Sequence, residues 1–169
     1  MCVLNERKKL IISLMRKEID YCEFSEAFKA KYDDIDVCKE LRLAYDLKDG
    51  QYVDLLLYVA AVIKFEFVCI DLLNDLITSD RHQKHEELAR LLQIYKSEKS
   101  VESLYKAALL HLDYRDYDED FILADKCIRA LAQINNSDAV EKLKLLYNEK
   151  NQYISNSAKK QLTKLGLFS

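Results

Sequence analysis

The fold of this chain is predicted from two aligned stretches, HEELARLLQIYKSEKSVESL at residues 85–104 and ADKCIRALAQINNSDAVEKL at residues 124–143. Five residues recur between them at a constant offset of 39 positions. The matching pairs are Arg90 and Arg129, Leu92 and Leu131, Val101 and Val140, Glu102 and Glu141, and Leu104 and Leu143. Internal repeats of about 20–50 residues are typical of stacked helical architectures. The stretches therefore predict a repeated pair of helices, but the repeat alone predicts no function.

Glycine and proline are almost absent, with two glycines and no proline in 169 residues, where average usage would give about eight prolines. Hairpins and sheets need many glycine and proline turn positions, whereas helix interiors exclude both residues. The composition therefore predicts an all-α fold. A chain of this length is expected to form one domain that buries about two-thirds of the surface exposed when unfolded.

Apolar residues at helical spacing mark ten candidate stretches, from which we expect about eight or nine helices. Residues 1–50 are predicted to be N-terminal capping helices and residues 51–169 to be helix pairs. The helices are expected at about 5–20, 25–32, 33–50, 51–63, 67–78, 85–96, 100–112 and 121–134, and from residues 138 and 153 onward.

Particular residues are expected to begin and end these helices. Asp33 to Asp36 is typical of a helix start, because carboxylates favour the positive end of the helix dipole. Gly50 is predicted to end that helix, and Gly166 to cap the last one. Asp138 is predicted to cap a helix with Glu141 at the reciprocal box position. The helix at 121–134 carries two apolar stripes, so we expect it to lie between neighbours.

Charge and hydropathy exclude several classes of protein. The net charge is −3, the pI is near 5.7, and no cluster of five Lys and Arg occurs, whereas nucleic-acid binders need a basic surface. The longest apolar run, residues 55–63, is about half of a membrane span. The five cysteines are odd in number and form no CxxC pair, which favours reduced, buried thiols. We predict a cytoplasmic protein that binds neither nucleic acid nor membrane directly.

One polar segment, DRHQKHEE at residues 80–87, brings together the side-chain types that ligate metals. Its candidate residues are Asp80, His82, His85 and Glu86. The two histidines are three positions apart, whereas a helical zinc site prefers i, i+4 spacing with a positioned third ligand. We therefore predict no metal site. The segment is either a turn that caps the helix beginning near His85 or a secondary contact region for a partner.

A second segment, DYRDYDED at residues 113–120, joins two predicted helices and contains five acids, two tyrosines and one arginine. Capping of the helix that begins at Phe121 would explain only the last three acids. Tyrosine is enriched at protein interfaces, and acid clusters steer basic partners. We take this segment as the main candidate partner-binding site, with a merely solvated loop as the alternative. The candidate residues are Asp113, Tyr114, Asp116, Tyr117, Asp118, Glu119 and Asp120.

The sequence contains no complete catalytic or cofactor motif. An exposed acidic loop lacks the apolar pocket that separates the pKa values of two catalytic carboxyl groups. No cysteine lies beside a histidine in sequence, and two isolated glycines cannot form a phosphate-binding loop. We predict no enzyme activity and no cofactor. The repeated Arg90 and Arg129 are expected to form a ladder on one surface, either as an anion site or as salt bridges between repeats.

The repeat resembles that of HEAT-repeat proteins over about residues 84–166. ADKCIRALAQI at residues 124–134, followed by the short turn NNSD, is similar to a HEAT B helix and its exit. Residues 158–166 echo residues 127–135 at a shorter offset of 31. The resemblance implies a HEAT-like, right-handed α-solenoid in which each repeat is stable only against its neighbours. The usual proline of the HEAT A helix is missing, which puts the kink of that helix in doubt.

The size, mild acidity and acidic tyrosine-bearing loop also resemble helical immunity proteins of bacterial toxin systems, including contact-dependent growth inhibition. That resemblance implies a protein that binds a cognate toxin domain, often a nuclease with a basic substrate groove, and blocks it. One alternative is a general HEAT scaffold or assembly factor. Another is an enzyme on a HEAT frame, such as a lyase or a DNA glycosylase, for which a basic concave face and aromatic pocket residues would be expected.

Overall fold

The computed structural model describes residues 3–115 and 121–168. These residues form ten α-helices, two short 3-10 helices and no β-strand, which confirms the predicted all-α fold and places a helix in each of the ten candidate stretches. The α-helices are α1 (Val3–Met15), α2 (Tyr21–Tyr32), α3 (Val37–Asp46), α4 (Gly50–Val62), α5 (Ile70–Ile77), α6 (His85–Tyr95), α7 (Val101–Ala108), α8 (Ile122–Ile134), α9 (Ser137–Tyr147) and α10 (Gln152–Lys164). The 3-10 helices are Glu98–Ser100 and Asp113–Arg115. None of the described helices combines the length and apolar character that crossing a membrane requires.

The described residues form two compact units. The first unit consists of residues 3–68 and 81–83 and holds α1 to α4. The second consists of residues 69–80, 84–115 and 121–168 and holds α5 to α10. The expected division into capping helices at 1–50 and helix pairs at 51–169 stays a prediction.

In the first unit, α4 packs against α1 and α3, and α1 also packs against α2. The sequence of α4 is apolar around most of the helix, and seven of its thirteen residues are buried. Both features are expected for a helix enclosed by neighbours. Ile11, Phe24 and Phe28 from the other helices are also fully buried. Burying one such side chain contributes about 1.5–3 kcal/mol, so these helices are held mainly by packing.

Three helices of the first unit begin at an aspartate whose side chain accepts a backbone hydrogen bond. These N-cap residues are Asp20 before α2, Asp36 before α3 and Asp49 before α4. A cap of this kind contributes about 1 kcal/mol by satisfying an N–H group that lacks a partner within the helix. The predicted helix start at Asp33 to Asp36 is confirmed.

The prediction that Gly50 ends a helix is wrong, because Gly50 is the first residue of α4. The preceding helix already ends at Asp46, and Lys48 then adopts a left-handed conformation with φ of 58°. A Cβ atom on Gly50 would lie 1.6 Å from the carbonyl oxygen of Arg81. Glycine is therefore required by a close backbone approach rather than by a turn.

The second unit is organised around α8, which packs against α6, α7, α9 and α10. Both predicted stripes of α8 are covered, since Ala124, Ile128 and Leu131 on one and Leu123 and Cys127 on the other are buried. The prediction that α8 lies between neighbouring helices is confirmed. A helix with two buried faces needs partners on both sides, which explains why four helices contact it.

A left-handed residue lies shortly after most helices of both units. In the second unit, Lys96 follows α6 and Asn135 follows α8, both with φ of 51°, and Gly166 lies two residues after the end of α10 with φ of 73°. In the first unit, α1 to α4 are followed by the left-handed residues Lys17, Asp33, Lys48 and Lys64. Such a residue lets the chain turn away sharply after a helix. The feature is therefore general in this chain and does not mark the 39-residue repeat.

Two predicted helix caps are wrong, although α6 and α9 begin within one residue of their predicted starts. The N-cap of α9 is Asn136, whose side chain accepts a hydrogen bond from the Ala139 N–H group at 2.8 Å. Asp138 therefore lies inside the helix and forms no capping box with Glu141. The helix α6 follows Lys84 with no side-chain cap, so the polar segment at 80–87 does not cap it.

The prediction of reduced, buried cysteines is only partly correct. Cys127 is buried and free, whereas Cys22 is free but exposed. Burial raises the pKa of the Cys127 thiol to about 12, so this side chain behaves as a small apolar residue. Cys38 and Cys69 are disulfide-bonded, so the prediction is wrong for both.

Candidate functional site

The structure brings together residues from the two polar segments selected in the sequence. The Nδ1 atom of His85 lies 2.8 Å from the hydroxyl oxygen of Tyr114, and Arg115 donates to Glu86. His85 and Glu86 begin α6, whereas Tyr114 and Arg115 belong to the 3-10 helix before the acidic loop. The base of that loop is therefore fixed to the start of α6.

His85 is fully buried, and each of its ring nitrogens has a polar neighbour. The Nε2 atom lies 2.7 Å from the Ser79 carbonyl oxygen. A carbonyl only accepts hydrogen bonds, so Nε2 carries a proton, and in the neutral imidazole Nδ1 accepts from the Tyr114 hydroxyl. The structural role of His85 is thus to join Ser79, before α6, to Tyr114 in the connection between α7 and α8.

Glu86 accepts hydrogen bonds from two basic side chains. Lys126 of α8 donates at 2.6 Å, and Arg115 donates to the other carboxylate oxygen. The Lys126 hydrogen bond, aided by Arg115, holds the pKa of Glu86 below its usual range, although partial burial opposes this shift. The ionised carboxylate therefore links α6, α8 and the base of the acidic loop.

The candidate residues of the acidic loop are only partly within the described chain. Asp113 is exposed and Tyr114 is half-buried. Asp116, Tyr117, Asp118, Glu119 and Asp120 lie outside the described residues. The two described residues that flank these five are Arg115 and Phe121. They are close together, because both line the same cavity. The predicted capping of α8 by Asp118 to Asp120 also falls outside the described residues.

The other residues of the first polar segment do not join this arrangement. Asp80 is exposed. His82 belongs to the first unit, where its Nδ1 atom lies 3.8 Å from the carboxylate of Asp54. The same carboxylate accepts a hydrogen bond from the Gln83 N–H group at 3.1 Å. Within the residues that the structure describes, no three His, Cys, Asp or Glu side chains are placed to share a metal ion.

Apolar side chains close to the acidic loop were missed in the sequence. Leu109 at the end of α7 and Ile122 at the start of α8 are exposed. Tyr153 of α10 is also exposed and stacks on Phe121 with ring centroids 5.7 Å apart. Ile122 lies on neither apolar stripe of α8, which is a signal that the sequence did contain. Tyr153 offered no such signal, because its exposure depends on how α10 packs.

The two arginines predicted to form a ladder form no salt bridges between repeats among the described residues. Arg90 pairs with Glu87, and Arg129 pairs with Asp125. Each pair lies within one helix, so the prediction of salt bridges between repeats is wrong for these arginines. The two acids are not related by the 39-residue offset, since Glu87 lies three residues before Arg90 and Asp125 four residues before Arg129.

Comparisons with known proteins identify no relative, since no family model, curated protein or solved structure matches the chain.

Proposed function

We propose that this protein is a non-catalytic protein-binding module of the HEAT-like solenoid type. In this proposal it acts as an immunity protein that binds and neutralises a cognate bacterial toxin domain. The proposed toxin domain is a nuclease with a basic groove. The binding surface consists of the acidic segment 113–120 and the exposed Leu109, Ile122 and Tyr153 beside it. We call this the loop surface.

The observation that carries the proposal is the fixed base of the acidic segment. Tyr114 contacts the buried His85, and Arg115 pairs with Glu86, which also binds Lys126. Ordering a loop costs free energy on binding, so a loop that is already held at its base binds with less entropy loss. A merely solvated connection would not need a buried histidine and a three-residue ionic cluster.

The composition of the loop surface also supports a protein partner. Exposed apolar and aromatic side chains next to charged groups are typical of interfaces, where an aromatic anchor contributes much of the affinity. The acids would attract the basic groove by which a nuclease holds its phosphate backbone. The partner would thus lose access to its substrate without any chemistry by this chain.

The HEAT-like part of the proposal is supported by the second unit. Its central helix, α8, packs against four other helices of that unit. Helix pairs that stack on one another would produce this arrangement.

Co-expression with the toxin domain encoded immediately upstream tests the proposal. We expect the full chain to protect cells from that domain and to copurify with it. The Asp113→Lys variant should bind at least about tenfold more weakly, because it places a like charge against a basic partner. The matched control is Glu26→Lys, which makes the same charge change at an exposed position of α2 in the first unit. Full protection by the Asp113→Lys variant would remove the loop surface from the proposal.

Inhibition distinguishes the immunity function from a general scaffold. A scaffold would form a complex with its partner but leave the partner's activity unchanged. We expect the wild-type chain to abolish nuclease activity at equimolar concentration in a purified assay. A stable complex with full nuclease activity would favour the scaffold.

A further inference from the structure

A polar cavity lies among α6, α8 and α10 in the second unit, away from the residues used above. Its volume is about 300 Å³, and it is lined by side chains from the C-terminal halves of all three helices. The lining residues are Gln93, Arg129, Gln133, Lys160, Gln161 and Lys164. They include three positive charges and no acid, in a chain whose net charge is −3.

The positive charges of the cavity are available to a ligand. Within the part of the chain that the structure describes, neither Lys160 nor Lys164 has an ion pair. Arg129 pairs with Asp125 one turn earlier in α8, and the Ser157 hydroxyl donates to Asp125 at 2.6 Å. One carboxylate engages at most two of the five guanidinium N–H donors. Asp125 therefore positions Arg129 while other donors remain.

Gln161 adds a hydrogen-bonding group to the cavity. Its residue is only 8% exposed, and its side chain has no hydrogen bond to any other described residue. Its amide N and O atoms are not enclosed by the protein, so they are open to a ligand in the cavity that the residue lines. Favourable interaction of lysines with helix C-termini would explain Lys164. It would not explain the cation from the middle of α8.

We propose that this cavity binds a phosphate group, as inorganic phosphate or as a small phosphate monoester. A phosphate monoester carries about −1.5 to −2 charges at pH 7 with several acceptor oxygens, which suits three cations and three amides. A carboxylate would offer one charge and two oxygens. The planar fork of arginine matches phosphate oxygens, and a cavity of this size admits only a small molecule.

Calorimetric titration of the full chain with inorganic phosphate and, separately, with glycerol phosphate tests the proposal at constant ionic strength. We expect saturable binding of one molecule per chain for at least one probe. Stronger binding of glycerol phosphate would identify an ester, and stronger binding of phosphate would identify the free ion. The Lys160→Gln/Lys164→Gln variant should bind at least about tenfold more weakly, since each lost charge-assisted hydrogen bond costs about that factor.

Two further variants separate a built site from general attraction. Lys159→Gln removes one exposed charge from α10 outside the cavity and should leave the affinity unchanged. Gln161→Leu retains every charge and should still weaken binding by about fivefold or more, because it removes one hydrogen bond. Absence of saturable binding to both probes would overturn the proposal. Equal weakening by Lys159→Gln, or binding of an oligonucleotide but of neither small probe, would also overturn it.

Discussion

The two units differ in how some of their helices begin. In the first unit, α2, α3 and α4 each follow an aspartate whose side chain caps the helix. In the second unit, Asn136 and Asn151 cap α9 and α10, but the residues directly before α5, α6, α7 and α8 make no capping hydrogen bond with their side chains. A capped helix start is specified locally, because the capping side chain bonds to an N–H group three residues later. An uncapped start depends on burial of the helix against other helices. The second unit is also where both proposed binding sites lie.

The buried polar interactions of the two units also differ in how far apart in sequence their partners lie. In the first unit, the Tyr52 hydroxyl donates to Glu40 at 2.5 Å, and the two residues are 12 positions apart on neighbouring helices. In the second unit, His85 and Tyr114 are 29 positions apart, and Glu86 and Lys126 are 40 apart. The first interaction supports two packed helices, whereas the second group fixes the connection that carries the acidic segment.

The largest expected effect comes from the two glycines, one in each unit. Gly50→Ala should destabilise the protein by about 3 kcal/mol or more, because a new Cβ would collide with the Arg81 backbone. Gly166→Ala meets no atom within 4 Å and has only the cost of its left-handed conformation, about 1 kcal/mol. Urea unfolding of both variants measures the difference. Equal destabilisation would mean that the close approach at Gly50 relaxes freely.

Deleting one hydroxyl from each buried polar group should give the next largest effect. Tyr52→Phe removes the hydroxyl that donates to the buried Glu40 carboxylate, which then keeps, among the described residues, only its 3.4 Å ion pair with Arg7, and should cost about 2 kcal/mol. Desolvation and the neighbouring Glu40 charge raise the pKa of Tyr52 well above its usual value, so the hydroxyl stays a donor.

Tyr114→Phe removes the corresponding hydroxyl next to His85 and should cost about 1 kcal/mol, because Tyr114 is only half-buried. This variant should also weaken partner binding through its effect on the base of the acidic segment. Chemical denaturation provides the stabilities, and a binding assay on the same samples provides the affinity. Unchanged affinity with reduced stability would show that the fixed base has no role in binding.

Removing one residue before a helix in each unit tests the difference in capping. Asp36→Ala deletes the cap of α3 and should cost about 1 kcal/mol. Ser100→Ala, before α7, should be neutral or stabilising, because the buried Ser100 hydroxyl has no hydrogen-bond partner among the described residues. Thermal unfolding of the two variants is the measurement. A large loss for Ser100→Ala would contradict the absence of a cap.

The smallest expected effect is a pH dependence at Glu86. Its pKa is lowered in the folded chain, first by Lys126 and then by Arg115, so its ionised form stabilises the fold above the usual carboxyl pKa. This contribution is lost as the pH falls through the lowered pKa. About a third of the Glu86 side chain is exposed, which limits the contribution to about 1 kcal/mol or less.

Stability curves of wild type and Glu86→Gln should therefore differ at neutral pH and converge in acid. The matched control is Glu26→Gln, in the first unit, whose curve should follow that of wild type at every pH. A constant difference between Glu86→Gln and wild type across the whole range would contradict an electrostatic role for Glu86.

Much of the fold could be predicted because its signals are local. The two stripes of α8 and the start of α3 at Asp36 depend on residues within a few helical turns of each other. The 39-residue repeat is likewise visible because each of its two copies is a local pattern of helix residues. The errors occurred where a distant residue decides the outcome. Gly50 looked like a helix end, but its role depends on the Arg81 carbonyl 31 positions away. Asp138 matched the sequence pattern of a capping box, but the residue that caps α9 is Asn136, two positions earlier.

The sequence by itself determined that this chain is helical, that helices around residues 85 and 124 repeat, and which polar segments lie between helices. It could do so because periodicity and composition act over short distances. Only the tertiary structure decided that His85 and Glu86 fix the base of the acidic segment, and that Arg129, Gln161 and the two lysines share a cavity. Those arrangements bring together side chains about 30 to 40 positions apart, and such proximity is set by how helices pack rather than by any local pattern.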